Sequence, residues 1–309
     1  MFLDPGSAAQ ETTLVVDAPN VFRFGPDGAQ TTAGLGDYAA STLGWKSAAL
    51  LGEDTLAGYT TLAGFTAEFC GVGGVVTTRI WAPPGETEFA PYVTQLPVEV
   101  DGYVVALDGP DLAAFIETFQ RLTGKVDPTR FLGTSAWLEP ETLDLVGERL
   151  AGSVAATPTP VGKTGRAKTV RYGKLIREVY PQVDVGGPSA LVAGAFNAAT
   201  ALVVTLEETG GATGEPLLRA LSSIQLDTAY GPLSLDTNRQ AIQDNYLVQI
   251  VPAAKREGYA SRTLLRVPSV EQDFGGAFTA VSPPPDRANP ACRAGEAPPW
   301  AGKAVQVRR

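Results

Sequence analysis

Hydrophobic positions alternate between two spacings from about residue 45 onward, and the alternation predicts strands that are each followed by a helix. The apolar run 48–52 ends in acidic residues, as expected for a buried strand that leads into a loop. Apolar side chains then recur every three or four positions over 59–69, which predicts a helix with one apolar face that ends near Gly73.

The same unit repeats further along the chain. The β-branched segment 75–81 predicts a second strand, and a Pro-Pro-Gly loop and a short helical stretch over 88–95 follow it. The later segments with this pattern are 103–107 as a strand, 112–122 as a helix, and 130–133 and 153–156 as two more strands. Strands that alternate with helices predict an α/β fold with a mostly parallel sheet covered on both faces.

The pattern changes near residue 187. Apolar residues fill most of a long helix over 187–208, and such a helix is expected to be buried on more than one side. A short helix over 215–221 and strands over 233–235 and 246–251 follow. The segment 282–309 is rich in Pro and Arg, which predicts a loosely packed tail.

Length and composition favour a globular protein that binds a small molecule. The chain has 309 residues, 44% of them hydrophobic and 18% charged, which suffices for one large domain or two modest ones. Its net charge is -9 without a long run of one sign, so a nucleic-acid groove or a strong attraction to anionic lipid is not expected. No signal peptide follows Met1, and no apolar run of about 20 residues predicts a membrane span.

Histidine is absent, which removes the usual Ser or Cys triad and every imidazole metal site. The two cysteines, Cys70 and Cys292, cannot supply a four-thiolate metal site. They form either one long-range disulfide or two inert thiols.

Three segments partly match catalytic or nucleotide-binding motifs, and each lacks an essential residue. Gly162-Lys163-Thr164 needs a glycine where Thr157 stands, and the glycine-rich segment 34–39 falls inside a predicted helix instead of the turn after a strand. The segment 133–137 resembles a nucleophile elbow, but a tryptophan replaces its last glycine and no histidine activates Ser135. Ser135 is therefore predicted to hydrogen-bond a ligand or to cap a helix, and no cofactor is predicted.

Acidic residues occur in pairs at 53–54, at 139 and 141, and at 207–208. All lie at predicted loops or helix ends, where solvated charge is usual. A glycosidase would require two carboxylates to meet across a cleft, which the spacing does not show.

Several segments, in order, resemble one protein family. They are 20–82, 89–96, Gly194-Ala195-Phe196-Asn197-Ala198-Ala199, Gly231-Pro232-Leu233-Ser234-Leu235-Asp236 and Ala241-Ile242-Gln243-Asp244. Together they resemble type I periplasmic solute-binding proteins of ABC transporters, of the branched-chain amino acid, amide and urea group. The resemblance spans nearly all of residues 4–280.

The resemblance implies a fold of two Rossmann-like α/β lobes with parallel sheets, joined by three crossovers and a hinge. The implied division is 1–44 as a remnant of lobe 1 and a crossover, 45–156 as lobe 2, 157–240 as the return to lobe 1, 241–281 as the final crossover strands to lobe 2, and 282–309 as a Pro-rich tail. Family members place roughly a hundred further residues of lobe 1 before this point. We therefore expect that the first part of lobe 1 is missing, through a truncated gene product or a misplaced start codon. The helix over 187–208 would then lose much of its cover.

The resemblance also implies the function. The protein is expected to bind a small amino acid, amide or urea-like solute and to deliver it to an ABC permease, without enzymatic activity, cofactor, metal or nucleic acid. A periplasmic or extracellular location, with membrane association through the transporter, follows from the family, and export favours the disulfide over free thiols. The alternatives are a ligand-sensing regulatory domain of the same fold and a flavodoxin-like α/β enzyme, and the missing histidine and nucleotide loop count against the enzyme.

The family's second lobe contributes ligand contacts from three loops at strand ends. The corresponding residues here are Ala57, Gly58, Asp108, Gly109, Ser135 and Ala136. Ala57 replaces an aromatic residue and Ser135 replaces an acidic one, so a leucine-like ligand is not the expectation. Asp108 either supplies the missing negative charge or caps the helix that follows it. Phe196 is a further candidate contact, although an aromatic residue on such a helix is more often part of the core.

Overall fold

A computed structural model describes residues 1–161, 167–181, 190–253 and 258–307, and a mixed sheet dominates it. The strands are β1 (Phe2–Asp4), β2 (Val21–Arg23), β3 (Ser47–Glu53), β4 (Val75–Ala82), β5 (Gly102–Ala106), β6 (Phe131–Gly133), β7 (Val154–Thr157), β8 (Gln225–Asp227), β9 (Pro232–Leu235), β10 (Ala241–Pro252), β11 (Tyr259–Val270) and β12 (Val305–Gln306). The helices are α1 (Glu11–Leu14), α2 (Leu35–Asp37), α3 (Leu56–Gly71), α4 (Ala90–Val93), α5 (Gly109–Thr123), α6 (Pro140–Leu150), α7 (Ala167–Val179), α8 (Ala190–Glu208) and α9 (Glu215–Ser222). A π-helical turn over Tyr38–Thr42 continues α2.

The main sheet has a parallel half and an antiparallel half. Its strand order is β4-β3-β5-β6-β7-β10-β11-β12, and the first five strands run parallel. The remaining strands of this path pair antiparallel, and β9 and β8 extend the sheet from one end of β10. The predicted parallel sheet is confirmed for β3 to β7. The residue pattern did not predict β11, although the resemblance implied crossover strands within 241–281.

Helices cover both faces of the parallel half, as predicted. One face packs the aromatic rings of α5, including Phe115 and Phe119, against Tyr103 and Phe131. The other face is covered by α3 and by Trp45. A side chain at position 102 would place its Cβ 2.0 Å from the Trp45 ring, so only glycine lets β5 pass this close.

A third cluster of buried residues lies at the end of the main sheet formed by β8 and β9. Phe22 and Phe24, from β2 and the residue after it, pack with α9 and with Leu233 of β9. β1 pairs parallel with β2 beside this cluster. The proposed lobe boundaries at 44, 156, 240 and 281 stay a prediction, since separate core clusters do not by themselves define domains.

α8 is buried on one face only, so the expectation of burial on more than one side is wrong. Gly194 lies against the carbonyl oxygen of Pro5, where an added Cβ would come within 1.7 Å. The opposite face exposes three large apolar side chains, which are Leu191, Val192 and Val203. Among the described residues, α8 is also the one helix long and apolar enough to cross a membrane, a criterion that core helices meet too. Residues 187–189 of the predicted helix lie outside the described residues.

The tail is anchored to the main sheet, which corrects the prediction of a loosely packed 282–309 segment. Cys292 forms a disulfide with Cys70 of α3, with a Cα–Cα distance of 5.2 Å. Trp300 is 2% exposed and belongs to the core cluster on the α3 face. β12 pairs with β11 beyond it.

Candidate functional site

A cleft of about 220 Å³ lies at the carboxyl ends of β3, β5 and β6. Ligands bind at this edge of parallel sheets because the strand-to-helix loops converge there. The sheet side is lined by Glu53, Ala57, Gly58, Thr61, Ala106, Asp108, Thr134, Ser135 and Ala136. The opposite wall is lined by Gly6, Ala8, Pro26, Asp27, Gly28 and Thr31. The cleft therefore lies between the N-terminal segment of the chain and the parallel sheet.

The start of α3 forms one corner of the cleft. Thr55 caps this helix, since its hydroxyl accepts a hydrogen bond from the backbone N–H of Gly58 at 3.1 Å. A Cβ on Gly58 would lie 2.2 Å from the carbonyl oxygen of Glu53, so glycine is required where the helix turns back over its strand. This turn leaves Ala57 exposed at the cleft wall.

Asp108 occupies the residue before α5 but does not cap it. Its backbone is extended, and its carboxylate makes no hydrogen bond to the first turn of the helix. The backbone N–H of Asp108 donates instead to Oε1 of Glu53 at 3.4 Å, so the ends of β3 and β5 are joined here. Of the two roles predicted for Asp108, the capping role is absent from this structure. Gly109 begins α5 against Thr142 and does not line the cleft.

Ser135 and Ala136 enter the cleft from a short 3₁₀ turn, Ser135–Leu138, that follows β6. Gly133 precedes this turn, and an added Cβ there would lie 2.1 Å from the Trp137 ring. Trp137 is fully buried in the core, so its ring holds the turn in place from the core side. The Ser135 side chain is left half-buried at the cleft surface.

Carboxylates dominate the electrostatics of the cleft. Burial raises the pKa of Glu53, and the negative charge of Asp108 raises it further. Burial and the charge of Asp111 likewise raise the pKa of Asp108. No lysine or arginine is among the fifteen lining residues given above. The negative charge at this edge is thus without a basic partner in the cleft wall.

Asp27 is the third acidic residue of the cleft wall, and the whole residue is buried. Its Oδ1 accepts the backbone N–H of Gln30, and its Oδ2 accepts Nε2 of Gln272, both at 2.9 Å. Burial raises the pKa of Asp27, and these donors offset part of the effect. Asp27 therefore links the cleft to the segments that join the N-terminal part to the sheet.

Asp54, the residue after Glu53, is a carboxylate with an ion-pair partner. The Arg287 guanidinium and the Tyr59 hydroxyl both donate to Asp54, and the hydrogen bond from Tyr59 is the main cause of its lowered pKa. The tail thus neutralises Asp54 and leaves Glu53 without an ion pair in the described part of the chain.

The structure does not bring Phe196 to this cleft. α8 turns Asn197 and Ala193 toward the buried side, which directs Phe196 toward α7. There Phe196 meets Tyr172 edge to face at 4.9 Å and lines a separate cavity of about 290 Å³. The structure thus brings together five of the seven ligand contacts considered from sequence, which are Ala57, Gly58, Asp108, Ser135 and Ala136.

The sequence pattern did not predict the cleft wall formed by the N-terminal segment, and it assigned Glu53 to a solvated loop instead of the cleft. Asp27 follows β2 closely, at a strand end, and that position was the available signal. Glu53 is the last residue of β3, yet its pair with Asp54 favoured a solvated loop. Asp54 is paired and Glu53 is not, because Arg287 binds Asp54. Arg287 is more than two hundred residues away, so the local sequence does not reveal this difference.

The partial motifs have structural roles or lie outside the description. Gly162-Lys163-Thr164 lies outside the described residues. Gly34 and Gly36 donate their backbone N–H groups to the carboxylate of Glu68 and do not form a nucleotide loop after a strand. Within the described ranges, no group of three Cys, Asp or Glu side chains is placed to hold a metal ion.

Comparison with known proteins identifies the family. A sequence model described as periplasmic binding protein matches residues 2–256. A comparison with curated protein sequences finds no match.

The fold also resembles solved structures of ABC-transporter solute-binding proteins. One, from Rhodopseudomonas palustris BisB5 in complex with 3,4-dihydroxybenzoic acid, is 21% identical with a TM-score of 0.71 over 87% of this chain and 72% of that one. A substrate-binding protein from Sphaerobacter thermophilus is 20% identical with a TM-score of 0.77 over 87% of this chain and 74% of that one.

A third is the leucine-, isoleucine-, valine-, threonine- and alanine-binding protein from Brucella ovis in a closed conformation. It is 16% identical, with a TM-score of 0.72 over 92% of this chain and 72% of that one. At these identities the likeness shows a shared fold. Together with the match over residues 2–256, it shows that the chain belongs to the periplasmic binding protein family and has its type I fold.

Proposed function

We propose that this protein is the substrate-binding component of an ABC importer, which holds a small amino acid or amide-like solute in the cleft between Asp27 and Asp108. The observation that carries the proposal is that cleft, at the carboxyl ends of β3, β5 and β6, in a chain of this family. Relatives of the same fold are named as binding either amino acids or aromatic acids. The class of solute must therefore be inferred from the residues that line the cleft.

Ala57, Gly58, Asp108, Gly109, Ser135 and Ala136 are proposed to contact the solute or to hold the loops that do. The walls come from segments far apart in the chain, so a bound solute would bridge them and favour a closed arrangement. A membrane permease would then recognise that closed arrangement. No covalent step is needed for this role, and we propose none.

We propose a periplasmic or extracellular localisation, with membrane association through the transporter. The Cys70–Cys292 disulfide supports this proposal because such bonds persist in oxidising compartments. Membership of the family supports it independently.

The test is thermal unfolding of the purified chain with and without a panel of amino acids, amides, urea and aromatic acids. A solute that binds only the folded state raises the unfolding temperature by mass action. At a free concentration a hundredfold above Kd, it adds about 2.7 kcal/mol to the free energy of unfolding. Turnover of amide and ester substrates is assayed in parallel. A saturable shift with one solute class and no turnover supports the proposal, whereas catalysed hydrolysis contradicts it.

A further inference from the structure

The charges of the cleft carry an inference about its solute. Glu53 and Asp108 lie at adjacent strand ends, where the backbone N–H of Asp108 reaches Oε1 of Glu53 at 3.4 Å. Neither carboxylate has an ion pair in the described part of the chain, and the Asp108 carboxylate is not used to cap α5. Asp27 lies in the opposite wall, but its two oxygens already accept hydrogen bonds from Gln30 and Gln272.

Two neighbouring acidic residues have partners outside the cleft lining. Asp54 is bound by Arg287, and Asp111 accepts the backbone N–H of Gly85 at 2.8 Å. These two carboxylates are thus held by donors from outside the cleft lining, whereas Glu53 and Asp108 have no cation among the described residues. Glu53 is half-buried and Asp108 is exposed. Their like charges repel, which costs stability, and a bound cation would relieve that repulsion.

Some donors at the same edge are already used within the fold. The Thr55 hydroxyl already accepts the hydrogen bond of the Gly58 N–H at the start of α3. Pro110, in the first turn of α5, has no backbone N–H. Thr31 donates its hydroxyl to the carbonyl oxygen of Gly28. A carboxylate in this cleft would have donors such as the Ser135 hydroxyl, but it would lie beside Glu53 and Asp108 with no lysine or arginine in the lining.

We infer that the solute of this cleft carries a net positive charge, with a protonated amine or guanidinium group held between Glu53 and Asp108. This inference rests on the proposed function, and it separates this protein from relatives named in complex with aromatic acids. The same chemistry predicts that anionic solutes are rejected, because like charges in a partly desolvated site repel strongly.

The first experiment compares probes of matched size and different charge. Putrescine, γ-aminobutyrate and succinate form one series, and benzylamine and benzoate form another. Thermal unfolding and isothermal titration calorimetry are expected to show binding of the amines, with Kd at least about tenfold lower than for the zwitterion or the acid. Stronger binding of succinate or benzoate than of its amine counterpart overturns the inference and leaves the proposed function standing. If neither amine binds while a solute of the earlier panel raises the unfolding temperature, the inference is overturned and the proposed function stands. If no probe and no member of that panel has an effect, the result counts against both.

The second experiment needs no ligand. The double variant Glu53→Gln with Asp108→Asn keeps the shape of both side chains and removes their charges, so the ligand-free unfolding temperature is expected to rise. The matched variant Asp54→Asn removes a carboxylate that Arg287 already pairs, and its unfolding temperature is expected to fall. A fall in the double variant would show that Glu53 and Asp108 serve the fold, and would overturn the inference. The double variant is also expected to lose its preference for amines over acids.

Discussion

Trp300 donates its indole N–H to Oε1 of Glu68 at 2.9 Å, and this hydrogen bond joins the C-terminal tail to the last turn of α3. Both residues are buried, and Oε2 of the same carboxylate accepts the backbone N–H groups of Gly34 and Gly36 at 2.8 and 3.0 Å. One carboxylate thus connects three distant segments in the core behind the cleft.

Glu68 is expected to make stability depend on pH. Burial raises the pKa of Glu68 to about 8, above its ordinary 4.5. The folded state therefore keeps a proton that the unfolded state releases, so stability falls as pH rises between about 4.5 and about 8. The slope from this one group approaches roughly 1.4 kcal/mol per pH unit.

Urea unfolding across this pH range measures the slope directly. Glu68→Gln is expected to flatten it and to lower stability throughout, because an amide offers only one oxygen to donors on two sides. Glu117→Gln, the same change on the exposed face of α5, is the control and should leave the slope unaltered. An equal slope in the Glu68 variant and the unaltered protein would show that Glu68 does not titrate in this window.

The disulfide is expected to hold the tail against α3. The backbone N–H of Gly295 donates to the carbonyl oxygen of Gly71 at 3.1 Å, next to the Cys70–Cys292 bond. Reduction should lower the free energy of unfolding by about 2–5 kcal/mol, since the bond closes a long loop. Tryptophan fluorescence should shift to the red if Trp300 becomes hydrated.

The control for reduction is the double variant Cys70→Ala with Cys292→Ala. Its denaturation midpoint is expected to be low and insensitive to reductant. A midpoint that is unaffected by reductant in the unaltered protein, with two free thiols on titration after denaturation, would show that the bond does not form.

The sequence pattern predicts the parallel half of the sheet well, because β3 and β5 are buried on both faces and read as continuous apolar runs. β11 is different, since it carries Arg262 and Arg266 and is mostly half-buried, so neither alternation nor an apolar run marks it. Apart from the favoured Cys70–Cys292 disulfide, the contacts of the tail were not predicted, because they depend on single residues such as Trp300 in a segment without periodicity.

At the cleft, the positions on the sheet side follow from topology, because loops at the ends of neighbouring parallel strands must converge. The charges do not follow in the same way. Whether an acidic residue is paired depends on partners remote in sequence, as Arg287 is for Asp54. The burial of Glu68 within α3 likewise depends on the distant Gly34, Gly36 and Trp300.

Gly133 is expected to be essential for the turn that carries Ser135. In Gly133→Ala the new methyl group would overlap the fully buried Trp137 ring, which costs about 1–3 kcal/mol by forcing the core to shift. Gly173→Ala in α7 is the matched control, since its Cβ meets only the end of Arg177 at 3.5 Å and alanine favours a helix. Chemical denaturation of both variants checks the prediction, and equal midpoints would show that the turn tolerates a side chain.

Ala57 offers the most direct test that the cleft is where the solute binds. Ala57→Trp would fill part of the cleft of about 220 Å³ from an exposed position, so the fold should persist while binding of any stabilising solute weakens by at least about tenfold. Leu56→Trp is the matched control, because Leu56 is the preceding residue, is 45% exposed and does not line the cleft. Calorimetric titration should give an unaltered Kd for the Leu56 variant. If the Ala57 variant also keeps its affinity, the solute binds elsewhere, and the cavity beside Phe196 becomes the next place to look.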